Sequence, residues 1–138
     1  MSKELNFICQ ENVTRKYIIP FIDDSIPICF DWIVSEYGCG EGGNLKPFLD
    51  LGCQVSGIDI SKDKVDFAER QYFDHPNRNN LRLLGGNSDF SLFKEDTPPV
   101  DLLLIKDTLE HIPDKDFLLD GIESLSAKTF ISFAPWHS

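Results

Sequence analysis

The chain has 138 residues, 41% of them hydrophobic, and a formal net charge of −10. This length suits one domain with a packed core, and the hydrophobic content is too high for a disordered chain. The acidic balance, without a run of Lys and Arg, argues against nucleic-acid binding and suits a ligand that carries positive charge. No apolar stretch has the length of a membrane span or the character of a secretory signal, so we expect a cytoplasmic protein.

The four cysteines, Cys9, Cys29, Cys39 and Cys53, match no common zinc-binding spacing, and no metal site is predicted. A disulfide framework is not expected in a reducing compartment, so we expect buried thiols.

Residues 1–30 predict a helical segment ahead of an α/β core at residues 31–138. Asn12 or Thr14 is a candidate cap for a short helix that reaches Ile22, and Pro20 is expected to disturb it. Arg15 in this segment is either a contact for an anionic ligand group or a solvated helix residue.

The core alternates strands with helices. Strands are predicted at Trp32–Tyr37, Gln54–Ile60, Leu81–Leu84, Val100–Lys106 and Thr129–Phe133, and helices at Asn44–Leu51, Lys62–Phe73 and Asp114–Ser126. This alternation predicts a parallel sheet with helices on both faces. Such sheets bind ligands beyond the carboxyl ends of their strands, where the strand order reverses.

Helix signals flank the second strand on both sides. Pro47 is tolerated near a helix start, and Gly52 is a plausible stop. Ser61 is a good N-cap for the next helix, on which Val65, Ala68 and Tyr72 share one face.

The stretch GCGEGG at residues 38–43 fits G-x-G-x-x-G between a predicted strand and a predicted helix. Asp59 lies 21 residues after Gly38, near the end of the next strand, where a carboxylate accepts hydrogen bonds from ribose hydroxyls. The pattern predicts an adenosine-containing ligand. The alternative is an ordinary tight turn followed by a strand-end aspartate.

Two acids at the glycine turn discriminate between ligands. Glu36 precedes the glycines and Glu41 lies among them. A dinucleotide would bring its phosphates close to both charges, at a cost of several kcal/mol at an effective dielectric of about 20. A ligand with an ammonium and a sulfonium group, such as S-adenosylmethionine, reverses the sign, and Glu36 can receive the ammonium. The alternatives are that Glu36 faces solvent or pairs with Lys46, and that Glu41 is a turn residue in water.

Four ordered blocks resemble the class I S-adenosylmethionine-dependent methyltransferases. They are VSEYGCGEGGNL at 34–45, GIDIS at 57–61, DLLLIKDTLEHI at 101–112 and FAPW at 133–136. The resemblance implies one domain over residues 1–138 with a Rossmann-like, doubly wound sheet of about five parallel strands and flanking helices. It also implies a methyltransferase that uses S-adenosylmethionine on an acceptor that we expect to be a small molecule.

The resemblance assigns roles by position. Glu36, Gly38 and Gly40 would hold the methionine end of the cofactor, Gly43 would open the following helix, Asp59 would take the ribose hydroxyls and Ile60 would pack on the adenine. The next loop, with Asn87 and Ser88, would supply an adenine contact, although Asp89 is an alternative. Lys106 and Asp107 would form the floor of the site, with Asp107 orienting the acceptor. His111 is either a general base or a residue that holds the start of a helix.

The family usually adds two antiparallel strands beside the fifth strand, and this chain stops after the fifth. We therefore expect a C-terminally shortened domain whose last strand is a sheet edge, with a homodimer as one way to cover it. Two further hypotheses stay open: an NAD(P)-dependent oxidoreductase, which would use the same glycines and Asp59, and a non-catalytic remnant that binds the cofactor.

Overall fold

A five-stranded parallel sheet lies at the centre of the protein, in a computed structural model that describes residues 2–86, 100–106 and 129–133. Its strands are β1 (Ile33–Tyr37), β2 (Gln54–Asp59), β3 (Leu81–Gly85), β4 (Leu102–Lys106) and β5 (Thr129–Phe133). Their order is β3-β2-β1-β4-β5, and each neighbouring pair is parallel. The predicted parallel sheet is confirmed, and the order reverses between β1 and β4. The predicted helix at 114–126 lies outside the described residues.

The central strands are buried on both faces. In β4 the four residues from Leu102 to Ile105 are each at most 1% exposed, and in β1 the residues from Val34 to Tyr37 are buried in succession. Continuous burial of this kind is typical of parallel strands that are covered on both sides, and in β4 the buried run is also wholly apolar. The carboxyl ends of these strands therefore extend directly from the buried core.

The helices around β2 follow the predicted signals. A 3₁₀ turn (Gly43–Leu45) leads into α3 (Lys46–Asp50), which has Pro47 in its first turn. Gly52 has a φ of 97° and ends this helix as predicted. Helix α4 (Lys62–Gln71) begins at Ser61, whose hydroxyl accepts from the Lys64 N–H. The predicted apolar face of α4 is buried, with Val65, Ala68 and Tyr72 at most 4% exposed.

The N-terminal segment is longer and more regular than predicted. It consists of α1 (Lys3–Val13), a π-helical turn (Thr14–Ile18) and α2 (Ile19–Ser25). Neither Asn12 nor Thr14 caps it, because the helix begins after Ser2, whose hydroxyl accepts from the Leu5 N–H. Among the described helices, none is long and apolar enough to cross a membrane.

Pro20 does not interrupt this segment. It lies in the first turn of α2, after the π-helical turn has shifted the backbone pairing so that the Ile19 N–H reaches the Thr14 carbonyl. Proline lacks an N–H and is tolerated at such a helix start.

Asp50 links the N-terminal segment to α3 and to the turn after α4. Its carboxylate lies 2.8 Å from Arg15, 3.0 Å from Lys46 and 2.7 Å from His75 Nε2. Burial alone would raise the pKa of Asp50, but hydrogen bonds from His75, Lys46 and Arg15 outweigh it and lower the pKa. Arg15 is thus a half-exposed partner of Asp50 and Glu11.

We expect Asp50→Asn to lower the free energy of unfolding by about 1 kcal/mol at pH 7, a value that allows for solvent screening. Because the folded-state pKa of Asp50 is depressed, its contribution is present above the unfolded pKa of about 4 and is lost as the pH falls through the folded value. Urea unfolding at pH 7 and near pH 3 measures this. Asp66→Asn is the control, because Asp66 pairs with Lys62 on the exposed side of α4. If Asp50→Asn lowers the free energy of unfolding as much at pH 3 as at pH 7, the lowered pKa of Asp50 does not explain its contribution.

Candidate functional site

A glycine loop connects β1 to the 3₁₀ turn at the carboxyl end of the sheet. Gly38, Gly40 and Gly42 have φ values of 78°, 54° and 85°, in the left-handed region that glycine adopts at little cost. The tight turn predicted from the sequence is present, and Gly43 opens the following helical turn as predicted.

Five backbone N–H groups of this loop donate to acceptors within the protein. They belong to Gly38, Cys39, Gly40, Gly42 and Gly43. Their acceptors, at 2.8 to 3.0 Å, are the carbonyls of Ile58 and Cys39, the Asp59 carboxylate and the Gln10 side chain. A phosphate-binding loop presents such N–H groups to its ligand. In this loop, by contrast, these five N–H groups are already bonded to acceptors of the protein itself.

Asp59 ends β2 beside the loop. Its Oδ2 accepts from the Gly40 N–H and its Oδ1 accepts from the Ser61 N–H, both at 2.8 Å. These bonds fix the carboxylate, and an ionised carboxylate has about four lone-pair sites, so capacity for ribose hydroxyls is left.

Glu36 lies in the middle of the sheet, paired in register with Gly57 of β2 and Leu104 of β4. Its side chain is 0% exposed, and its Oε2 accepts from Asn44 Nδ2 at 2.8 Å. The alternatives of a solvent-facing or Lys46-paired glutamate are wrong, because Lys46 pairs with Glu11 and Asp50.

Glu41 is 2% exposed, so the expectation that it lies in water is wrong. Helix α1 covers it, and its two carboxylate oxygens accept from Asn6 Nδ2 and Gln10 Nε2, each at 3.1 Å. We did not predict these partners. The signal in the sequence is their spacing, since residues 6, 10 and 14 are all polar and lie on one face of a helix.

The carboxylates of Glu36, Glu41 and Asp59 place negative charge around the loop, and this charge affects the pKa of the Cys39 thiol. Burial is the main reason why the pKa of Cys39 is raised well above its ordinary value, and the charges of Glu36, Asp59 and Glu41 raise it further. The same charges that oppose a thiolate would attract a cationic ligand.

We expect Cys9 and Cys29 to react quickly with a disulfide reagent such as DTNB at pH 8, because both are exposed. Cys39 and Cys53 are expected to react only after unfolding. They are buried, and burial, followed by the charge of Asp31, raises the pKa of Cys53 to about 11. The prediction of buried thiols is thus confirmed for these two and wrong for Cys9 and Cys29. Mass spectrometry of labelled peptides measures the rates, and Cys39 labelling as fast as Cys9 would contradict the buried loop.

The other predicted site residues are placed only in part. Ile60 follows β2 and is 75% exposed, and Lys106 ends β4. Four predicted residues lie outside the described parts of the chain, namely Asn87, Ser88, Asp107 and His111, as does the alternative Asp89. The part of the chain that the structure describes contains no cluster of His, Cys, Asp and Glu able to hold a metal ion.

Comparison with known sequences places this chain among methyltransferases. A family model described as a methyltransferase domain matches residues 35–128. The ubiquinone biosynthesis O-methyltransferase of Pelagibacter ubique is 31% identical over 98 residues, which cover 71% of this chain and 39% of that protein. The enzyme of the same name from Coxiella burnetii is 25% identical over 92 residues, which cover 67% of this chain and 38% of that protein. The chain thus spans about two fifths of the length of these relatives.

Solved structures share the fold. A SAM-dependent methyltransferase from Aquifex aeolicus superposes with a TM-score of 0.66 at 15% identity, over 93% of this chain and 68% of that chain. The glycopeptide N-methyltransferase MtfA, in complex with S-adenosylmethionine, has a TM-score of 0.66 at 21% identity, over 89% of this chain and 53% of that chain. Because the family model covers more than half of the chain, this protein belongs to the class I methyltransferases, whose methyl donor is S-adenosylmethionine.

Proposed function

We propose that this domain binds S-adenosylmethionine at the carboxyl ends of β1 and β2 and transfers its methyl group to a small-molecule acceptor. One observation carries the proposal: five backbone N–H groups of the glycine loop donate to acceptors within the protein, while Glu36, Glu41 and Asp59 place three carboxylates in or beside the loop. A phosphate would find few donors and three negative charges there. A ligand with two cationic groups and no phosphate suits the same surroundings.

The described residues would divide the binding between them. Glu36 would receive the ammonium group, and Gly38 and Gly40 would allow the backbone to approach the methionine end closely. Asp59 would accept a ribose hydroxyl with the capacity that its two backbone bonds leave. The exposed side chain of Ile60 offers apolar surface for the adenine.

The remaining contacts stay predictions. Asn87 or Ser88 would contact the adenine, Lys106 would contribute to the floor of the site, Asp107 would orient the acceptor, and His111 is a candidate base. The bound cofactor supplies an electrophilic methyl group on sulfur whose leaving group is a neutral thioether. The chain therefore needs mainly to align the acceptor and to exclude water, and a base is required only if the acceptor keeps its proton until attack.

The relatives named ubiquinone biosynthesis O-methyltransferases support a small organic acceptor and an oxygen as the methylated atom. Because the chain spans about two fifths of those proteins, a domain that binds the cofactor without turnover is the second candidate. The oxidoreductase hypothesis is disfavoured by the family match and by the loop N–H groups that already donate within the protein. A homodimer that covers β5 also stays a prediction, which size-exclusion chromatography with light scattering would test.

Calorimetric titration tests the proposal with S-adenosylmethionine, its demethylated product S-adenosylhomocysteine, and NADH. We expect heat and a thermal shift with the first two ligands and neither with NADH. Absence of binding to both methionine-derived ligands would overturn the proposal. Cofactor binding without release of S-adenosylhomocysteine across a panel of phenols, amines and thiols would favour the non-catalytic candidate.

A further inference from the structure

We infer that Thr14 and Asn44 form a positioning relay that orients the Glu36 carboxylate toward the ammonium group of the cofactor; this inference rests on the proposed function. Neither residue would need to touch the cofactor. The relay would make the N-terminal helical segment a part of the binding site, although the sequence motifs of the site begin only at residue 34.

The relay consists of two short hydrogen bonds in series. The Thr14 hydroxyl donates to Asn44 Oδ1 at 2.7 Å, and Asn44 Nδ2 donates to Glu36 Oε2 at 2.8 Å. All three residues are buried, with exposed fractions of 0% for Thr14, 3% for Asn44 and 0% for Glu36. Hydrogen bonds in such dry surroundings are stronger than in water and hold one arrangement.

The direction of the relay is fixed by its chemistry. An ionised carboxylate only accepts hydrogen bonds, so Asn44 must turn its NH₂ group to Glu36 and its oxygen to the opposite side. Only a donor can satisfy that oxygen, and the Thr14 hydroxyl is one. An apolar side chain at position 44 would leave the buried carboxylate without this donor, and an Asp there would place a second carboxylate against it.

The backbone explains why Thr14 reaches this place. Thr14 is the first residue of the π-helical turn, and its carbonyl accepts from the Ile19 N–H. A threonine within a helix commonly bonds to the carbonyl one turn earlier, whereas this hydroxyl contacts a residue 30 positions away. Single π-helical turns occur often at functional sites, because they re-aim side chains at a cost in helix regularity.

The relay would act through preorganisation. A glutamate side chain has several rotatable bonds, and fixing one carboxylate oxygen removes much of the freedom that ammonium binding would otherwise remove. The bond from Asn44 does not by itself prevent ligand binding, because an ionised carboxylate has about four lone-pair sites and one amide donor uses one of them.

Two ligands separate a positioning role from a structural one. S-adenosylhomocysteine carries the amino-acid group, whereas 5′-methylthioadenosine keeps the adenosine and the sulfur and lacks the ammonium. For Asn44→Ala we expect the Kd of S-adenosylhomocysteine to rise about 10-fold, and for Thr14→Val about 3-fold, as befits the loss of one hydrogen bond. The Kd of 5′-methylthioadenosine should change less than about 2-fold in both variants. Thr14→Ser keeps the hydroxyl and should restore wild-type affinity.

A double variant tests whether the effect passes through Glu36. In a Glu36→Gln background, Asn44→Ala should change the Kd of S-adenosylhomocysteine by less than about 2-fold, because the charge that it orients is gone. Circular dichroism and urea unfolding show whether each variant is folded. If Asn44→Ala does not fold, Thr14→Val, the smaller change, still tests the relay.

The outcomes distinguish the relay from the proposed function. If the variants weaken both ligands equally, or neither, while the wild type binds S-adenosylhomocysteine more tightly than 5′-methylthioadenosine, the relay is overturned and the proposed function stands. If the wild type binds neither ligand, the proposed function fails and the relay fails with it. A selective loss for S-adenosylhomocysteine that Thr14→Ser rescues would support the relay.

Discussion

Replacing Glu36 by Gln is expected to weaken S-adenosylmethionine binding by about 10- to 100-fold, which corresponds to one hydrogen bond to a charged group in a buried site. The substitution keeps the size of the side chain and an oxygen that can accept from Asn44, so the main change is the loss of a negative charge. That charge would face the ammonium of the cofactor, where little water screens it. Isothermal titration calorimetry at fixed salt measures the change.

Glu11→Gln is the matched control. Glu11 is a glutamate like Glu36, but it lies in α1 and pairs with Arg15 and Lys46 near the surface. We expect this variant to bind the cofactor within about 2-fold of wild type, since exposed ion pairs contribute little. Equal affinity of wild type and Glu36→Gln would contradict the electrostatic assignment. If the wild type binds NADH tightly and Glu36→Gln does not improve that binding, the oxidoreductase hypothesis would again be favoured.

Gly43→Ala is expected to lower the free energy of unfolding by about 2 to 3 kcal/mol, in the upper range for overpacking. A Cβ at this position would lie 2.2 Å from the Phe7 carbonyl oxygen and 2.8 Å from the Gln10 Cβ. Helix α1 would have to move away, and the bonds from Gln10 to Glu41 and from the Gly43 N–H to Gln10 would be lost. Urea unfolding measures the stability, and hydrogen exchange of the α1 amides measures the displacement.

Gly52→Ala separates this contact from backbone strain. Gly52 has a φ of 97°, but the nearest atom to an added Cβ is the Phe30 Cβ at 3.9 Å. We expect a loss of about 1 to 2 kcal/mol from the left-handed backbone alone, with unchanged exchange in α1. If Gly43→Ala leaves α1 protection unchanged, the close packing of α1 on the glycine loop is wrong. We therefore expect the packing of α1 on the glycine loop to contribute to the stability of the fold.

The sequence alone determined the parallel sheet, the helix signals at Pro47, Gly52 and Ser61, the glycine turn and the family. These features are encoded locally. A run of apolar residues, a capping hydroxyl or a glycine at a turn can be recognised from the neighbouring few residues. The rest of the chain is not needed for these predictions.

Only the tertiary structure decided whether Glu36 and Glu41 are buried and which side chains bind them. Glu41 looked like a turn residue in water and is instead buried under α1, and Glu36 is held by Asn44. The contacts that α1 and the π-helical turn make with the loop span 30 to 35 residues along the chain. A polar side chain has no local signature that tells whether a distant helix will cover it, because burial depends on which surfaces meet when the chain packs. The residue types of the site were therefore predictable from the sequence, while the burial of its carboxylates and the hydrogen bonds that hold them were not.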